Sequence, residues 1–186
     1  MMDYAKYKTD KIAHGYMPAY EMMLDSIRHE RMNVLEIGIE GGHSMEMWPD
    51  FFDHPETRIA GLDLGDCRSV VWPKVTCFRG DMKDPAVIDT ICAEFSPLHV
   101  IIDDASHLSG DSMQAFAHLF PRLSPGGFYI IEDIPASDML GGFVKPKIID
   151  GWETEAAFVT VFRGPQSMDG ILFMKKKGSF QSESKA

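Results

Sequence analysis

Short apolar runs recur along the chain, each closed by a glycine or a carboxylate, and segments of helical period lie between them. Asn33 to Gly38 reads as a buried strand, Arg58 to Leu64 as a second and Val75 to Gly80 as a third. Leu98 to Asp103 and Phe128 to Glu132 follow as a fourth and a fifth. Tyr20, Met23, Leu24 and Ile27 share one face of a helix over residues 18–30, with Pro18 in its first turn. A short helix is expected from about Ser44, and Pro49 must kink or end it. Asp84-Pro85 is a cap with a first-turn proline, and Val87, Ile88, Ile91 and Phe95 continue at helical spacing. Ser109 can cap a helix that carries Met113, Phe116, Ala117 and Phe120, with Pro121 distorting its end. Ser124-Pro125-Gly126-Gly127 is a turn.

Strands that alternate with helices require right-handed crossovers and a mostly parallel sheet. Phe158 to Phe162 and Gly170 to Lys175 are separated only by Arg163 to Asp169, a link short enough for an antiparallel hairpin. The expected fold is α/β: a Rossmann-like, doubly wound, mostly parallel sheet of about seven strands, closed by a C-terminal antiparallel hairpin. Residues 1–17 form a polar, irregular N-terminal segment that could cover a cofactor or substrate, 18–176 the folded domain, and 177–186 a polar, disordered tail. Residues 135–156 read as a loop or partial lid.

Ligands of such sheets bind at the carboxyl ends of the strands. The chain's chemistry collects there. Leu35-Glu36-Ile37-Gly38-Ile39-Glu40-Gly41-Gly42-His43-Ser44 is a glycine-rich turn between strand and helix. Gly38, Gly41 and Gly42 permit a close approach of backbone to ligand. Glu40 stands where the dinucleotide fingerprint needs its second glycine. A carboxylate there repels a pyrophosphate but tolerates a sulfonium or an ammonium group. Glu36 and Glu40 therefore favour S-adenosylmethionine over a nicotinamide dinucleotide. Asp63 ends the second strand, where an acid can accept from ribose hydroxyls. Asp81 follows the third, where it could bond an adenine amino group or simply cap a helix. Asp103-Asp104-Ala105-Ser106-His107 and Glu132-Asp133 bring carboxylates to two further strand ends, a setting that can hold a hard divalent cation. Asp103 and Asp104 should face opposite ways, so Asp103 serves either the structure or the cofactor.

Together these segments resemble a class I S-adenosylmethionine-dependent methyltransferase. More narrowly, three segments resemble the metal-dependent sugar O-methyltransferases of the macrocin and mycinamicin type. They are Thr9-Asp10-Lys11 with His14-Gly15-Tyr16; Leu35 to Trp48; and Ile102 to His107 with Phe120 to Gly127 and Ile131-Glu132-Asp133. Ala105 stands where that family usually has glycine. The resemblance implies magnesium or manganese ligands at Asp104, Glu132 and Asp133, and S-adenosylmethionine held by Glu36, Gly38, Gly41, Gly42, Ser44, Asp63, Asp81 and Asp103. It also brings His14 and Tyr16 toward the acceptor. His107, three residues beyond Asp104, is the candidate general base for an acceptor hydroxyl, since imidazole titrates near neutrality. The expected reaction is in-line methyl transfer to a hydroxyl of a sugar or sugar-bearing natural product. A catechol-like diol, a nicotinamide-linked oxidoreductase and a non-catalytic cofactor-binding protein are the competing readings.

Composition narrows this further. The 186 residues carry a net charge of -10, which disfavours nucleic acid and anionic membrane as partners. The N-terminus has no apolar signal core and no stretch approaches a membrane span, so a cytoplasmic location is expected. Cys67, Cys77 and Cys92 lack metal spacing and read as small apolar residues in a reducing compartment. A homo-oligomer is compatible with so short a chain, which could use a neighbour to close its pocket.

Overall fold

The computed structural model describes residues 2–66, 71–135, 154–162 and 168–181. Its centre is a seven-stranded sheet. The strands are β1 (Asn33–Ile37), β2 (Arg58–Asp63), β3 (Val75–Arg79), β4 (Leu98–Asp103), β5 (Leu123–Pro135), β6 (Thr154–Phe162) and β7 (Met168–Lys176). They lie in the order β3-β2-β1-β4-β5-β7-β6. The first five are parallel, and β7 pairs antiparallel with both β5 and β6. The strand order reverses between β1 and β4, so their carboxyl ends flank the crevice in which such sheets bind ligands.

Helices cover both faces. On one lie α4 (Pro85–Phe95) and α5 (Ser109–Leu119), whose Ile88, Ile91, Phe95, Phe116 and Leu119 pack on Leu35, Ile37, Ile101, Tyr129 and Ile131. On the other lie α2 (Met17–Leu24) and α3 (His43–Phe51), whose Tyr20, Leu24, Trp48 and Phe51 pack on Val34, Val100, Ile102, Phe128 and Ile130. Odd and even strand positions thus feed different layers, as the pleat dictates. Fully burying one such side chain contributes about 1.5–3 kcal/mol. No helix among the described residues is long and apolar enough to cross a membrane.

Several local expectations change. The N-terminal segment is not irregular: Tyr4–Lys6 forms a 3-10 turn capped by Asp3, and Asp10–Ala13 forms the one-turn helix α1. The helix expected over 18–30 stops at Leu24, and turns carry the chain to His29. Asp25 and Ser26 follow, residue types whose short polar side chains compete for backbone groups. Ile27 is still buried, whereas Met22 is 68% exposed. α3 runs through Pro49 to Phe51, so the proline does not end it. Ser109 begins α5 rather than capping it; Leu108 holds the cap position and makes no side-chain bond. The Ser106 hydroxyl instead accepts from the Leu108 N–H at 3.3 Å. Cys77 is half-buried and Cys92 buried. Cys67, residues 136–153 of the expected lid, and residues 182–186 of the tail lie outside the described residues.

Candidate active site

The pleat decides where the strand-end acids go. Glu36 in β1 pairs with Ile102 in β4, and Ile102 pairs with Ile130 in β5. Asp104 and Glu132 stand two residues beyond those partners and so share the face of Glu36, toward α2 and α3. Asp103 is one residue out of phase and faces α5, where the Ser112 hydroxyl and the Ala105 N–H bond it. Burial pushes its carboxyl up to about 6. Its Oδ2 and the buried Tyr129 hydroxyl have no hydrogen-bond partner among the described residues.

The shared face collects three carboxylates around one ammonium. Lys11 of α1 is 1% exposed, and its Nζ lies 2.5 Å from Asp104 Oδ2, 3.0 Å from Glu132 Oε2 and 3.0 Å from Glu36 Oε1. Around it, Ser44 Oγ and Trp48 Nε1 donate to Glu36 Oε2 at 2.7 and 2.8 Å. The Tyr20 hydroxyl donates to Glu132. Burial opposes the charge on Lys11, but Glu132, Glu36 and Asp104 outweigh it and hold its pKa well above the usual lysine value. Burial raises Glu132, while Lys11 and Tyr20 pull it back. Burial and then the Glu132 charge drive Asp104 well above the carboxylate range. A buried ion cluster of this kind is tolerable only because nearly every oxygen is paired.

A second, outer group sits against the first. The pairing of β5 with β7 shifts between Ile131 and Ile134, and Asp133 within that irregularity has φ +52°. The break in alternation turns Asp133 away from both cores. It receives the Tyr16 hydroxyl, and His14 Nδ1 lies 3.8 Å from its Oδ1. His107, at φ +55° and 42% exposed, brings Nε2 to 3.9 Å from Asp133 Oδ2. Asp104, His107 and Asp133 each present a ligand atom within 4.8 Å of the others. Two left-handed non-glycine residues in one cluster mark a backbone held there by its surroundings. Two carboxylates and an imidazole fit a hard divalent cation that keeps its remaining positions for water or substrate oxygens.

Beside this group opens a cavity of about 640 Å³. Gly38, Gly41, Ser44, Asp63, Asp81, Asp104 and His107 all line it. The Gly38 N–H donates to the Leu62 carbonyl at 2.8 Å, and φ is +84°. A Cβ on Gly38 would run into the Asp104 carbonyl and Ala105 Cα, so only glycine lets the loop touch the β4 end. Asp63 Oδ2 accepts from the Ile39 and Glu40 N–H groups at 3.0 and 2.8 Å, and Oδ1 from Gly65 at 2.7 Å. Asp63 therefore shapes the glycine loop as well as facing the cavity. Asp81 Oδ1 accepts from the Lys83 N–H at 2.9 Å, a turn-capping bond.

Four expected site residues stand apart from the cavity wall or the outer group. Glu36 does not line the cavity, because the pleat turns its carboxylate inward to Lys11, Ser44 and Trp48. Asp103 does not line it either, for the opposite parity sends it toward α5. Gly42 is also absent from its wall and lies under the Trp72 indole. Glu132 carries Lys11 and Tyr20 on its oxygens and is not among the three residues, Asp104, His107 and Asp133, whose ligand atoms lie within 4.8 Å of one another. Sequence reasoning missed Lys11. The signal available was the parity of Glu36, Asp104 and Glu132, which aims three carboxylates into one layer and calls for a cation there.

No protein-family model matches this chain. It is 35% identical over 139 residues to mycinamicin VI 2''-O-methyltransferase of Micromonospora griseorubida, covering 70% of this chain and 34% of that protein. Demethylmacrocin O-methyltransferase of Streptomyces fradiae is likewise 35% identical over 139 residues, covering 70% of this chain and 35% of that one. The chain thus spans about a third of the length of the curated relatives it matches. Among solved structures, the MycE methyltransferase of mycinamycin biosynthesis, in complex with Mg and SAH, aligns with TM-score 0.67 and 27% identity, covering 87% of this chain and 50% of that one. An O-methyltransferase from Bacillus cereus in complex with SAH shares the fold at TM-score 0.66 and 17% identity, covering 92% of this chain and 84% of that one. Over that shared region this chain is similar in sequence to the mycinamicin- and macrocin-type sugar O-methyltransferases, and over most of its described length it shares the methyltransferase fold.

Proposed function

We propose that this chain transfers a methyl group from S-adenosylmethionine to a hydroxyl of a sugar or glycosylated small molecule, with a divalent cation, magnesium or manganese, at Asp104 and Asp133. The observation that carries the proposal is a shared wall. Asp104 and His107 belong both to the 640 Å³ cavity and to the outer group with Asp133. A cavity of that size suits a nucleoside-sized ligand. The names of the relatives support the acceptor class, and the magnesium and SAH of the MycE complexes support the cofactors.

Each residue has a defined task. Gly38, Gly41 and Ser44 bring backbone and hydroxyl against the amino-acid end of the methyl donor, and Asp63 and Asp81 face its ribose and base. Asp104 and Asp133 hold the cation, and a divalent cation there supplies Lewis acidity toward an acceptor hydroxyl. His107 takes the hydroxyl proton on Nε2 as the acceptor oxygen forms its bond to the methyl carbon and the carbon–sulfur bond breaks. S-adenosylhomocysteine, the methyl ether and a protonated His107 result. His14 and Tyr16, drawn to Asp133, border the acceptor side. Alignment and exclusion of water are the chain's contribution, since the cofactor carries the electrophile.

The closeness of His107 to both carboxylates favours a second reading, in which it is a third ligand. His107→Ala separates the two. A base predicts that turnover falls by about 10²–10⁴-fold while Mn²⁺ and S-adenosylmethionine affinities stay within about threefold. A ligand predicts that Mn²⁺ affinity falls as well. Retained turnover contradicts both.

A further inference from the structure

Met22, Leu64, Val71 and Leu108 are the large apolar side chains that stand exposed among the described residues. Isolated ones are ordinary on a soluble surface. Two of these stand at the cavity. Leu64, 70% exposed, is part of its wall beside Asp63, at the cofactor end. Leu108, 62% exposed, is not part of the wall, but Ser106 and His107 before it and Asp111 after it are. It therefore stands at the rim, next to the candidate base.

Leu108 is also an unfavourable choice at its position. It is the N-cap of α5 and has the extended backbone of a cap, with φ -95° and ψ 117°. Leucine ranks far below serine, aspartate or asparagine there, because it offers no oxygen to the N–H groups of the first turn. Its backbone is fixed from both sides. The Leu108 N–H donates to the Ser106 hydroxyl at 3.3 Å, and its carbonyl accepts from the Asp111 and Ser112 N–H groups at 2.9 and 3.1 Å. The side chain is thus presented at the mouth from a fixed base, while the fold neither buries it nor uses it as a cap. A local rule broken with no structural benefit is where a binding role is to be sought.

We infer, building on the function above, that Leu108 is a specificity-determining residue that packs on an apolar group attached to the acceptor sugar. Around His107 the wall is polar, with Asp104, Ser106 and Asp111, and suits the hydroxyls of a sugar ring. What is joined to the ring leaves the cavity across the rim, and Leu108 is the apolar surface it meets there. On the same reading the base of the methyl donor covers Leu64 at the other end.

The test compares the unaltered chain, Leu108→Ser and Leu108→Met on acceptors that differ only in the aglycone: methyl and octyl rhamnoside, and methyl and octyl glucoside. With the unaltered chain, kcat/KM for an octyl glycoside should exceed that for its methyl partner at least ~10-fold, as expected when one leucine side chain is partly buried against hydrocarbon. Leu108→Ser should bring the ratio to within about threefold, with the change carried by KM. Leu108→Met keeps the apolar surface and should retain the preference. Leu108→Ser should also raise Tm by about 2–4 °C, because it supplies the missing cap. A ratio that Leu108→Ser leaves unchanged, or a Tm that falls, overturns the role of Leu108 and leaves the proposed function standing. Transfer to none of the four glycosides by a chain that binds S-adenosylmethionine removes the sugar acceptor from the proposed function, and this inference with it.

Discussion

The two halves of the site are built by different means. The cofactor half, at the ends of β1 and β2, is shaped by backbone: the Gly38 turn, and the Ile39 and Glu40 N–H groups gathered on Asp63. Residues adjacent in sequence make most of it. The acidic half, at the ends of β4 and β5, is shaped by side chains from distant elements. Lys11, Tyr16 and Tyr20 reach across more than ninety residues of chain to Asp104, Asp133 and Glu132. One half is local geometry, and the other is long-range charge pairing.

The contrast can be broken at its seam, where Gly38 touches Asp104. Gly38→Ala puts a methyl into the Asp104 carbonyl at a left-handed φ, so both halves should fail together. The expected result is loss of detectable S-adenosylmethionine binding in calorimetry and a stability loss of about 3 kcal/mol or more in denaturant melts. Removing only the acidic half is more selective. Asp133→Asn, or excess chelator on the unaltered chain, should lower turnover by roughly a thousandfold, yet cofactor affinity should stay within about threefold. Added Mg²⁺ should restore the chelated enzyme and not the variant. Full activity in excess chelator contradicts the cation.

A third substitution sharpens the difference of parity between neighbours. Asp103 and Asp104 are adjacent, but Asp103 faces α5 and its carboxyl is raised from 3.8 to about 6 by burial. For an acid raised in this way, the native state holds the proton more tightly than the unfolded chain. Its stabilising contribution is full below pH 3.8 and is lost as pH rises through about 6. Asp103→Asn should therefore stabilise the chelated protein by about 2 kcal/mol at pH 8, with the gain vanishing near pH 4. Cofactor affinity should not change. A loss of cofactor binding would return Asp103 to the ligand-binding wall.

Much of the fold was legible because its signals are periodic. The strand ends at Ile37, Asp63 and Asp103 follow from short apolar runs, whereas β5 begins at Leu123, inside the expected turn, and runs past Glu132 to Pro135; the sheet's parallel part follows from the helices between the strands. The glycine loop, Asp63, Asp81, Asp104, His107 and Asp133 were legible as strand-end chemistry, and Gly38, Gly41, Asp63, Asp81, Asp104 and His107 line the cavity. The direction of Glu132 and Glu36 was not legible, because a strand-end position does not by itself give the direction of the side chain. Strict alternation sends both inward, and only the irregularity at Asp133 turns its neighbour outward. Lys11 was legible only as part of the Thr9-Asp10-Lys11 segment, and nothing local points to its ion pairs. Its pairing with Glu36 and Glu132 exists only once α1 has folded against the sheet.

The central claim is that Asp104 and Asp133 hold one divalent cation within reach of a bound methyl donor. Crystals soaked with Mn²⁺ and S-adenosylhomocysteine test it through anomalous scattering. The account predicts a single strong peak at about 2.2 Å from one oxygen of Asp104 and one of Asp133, facing the nucleoside in the cavity. A peak lodged elsewhere, or no peak at all beside well-ordered S-adenosylhomocysteine, would contradict it.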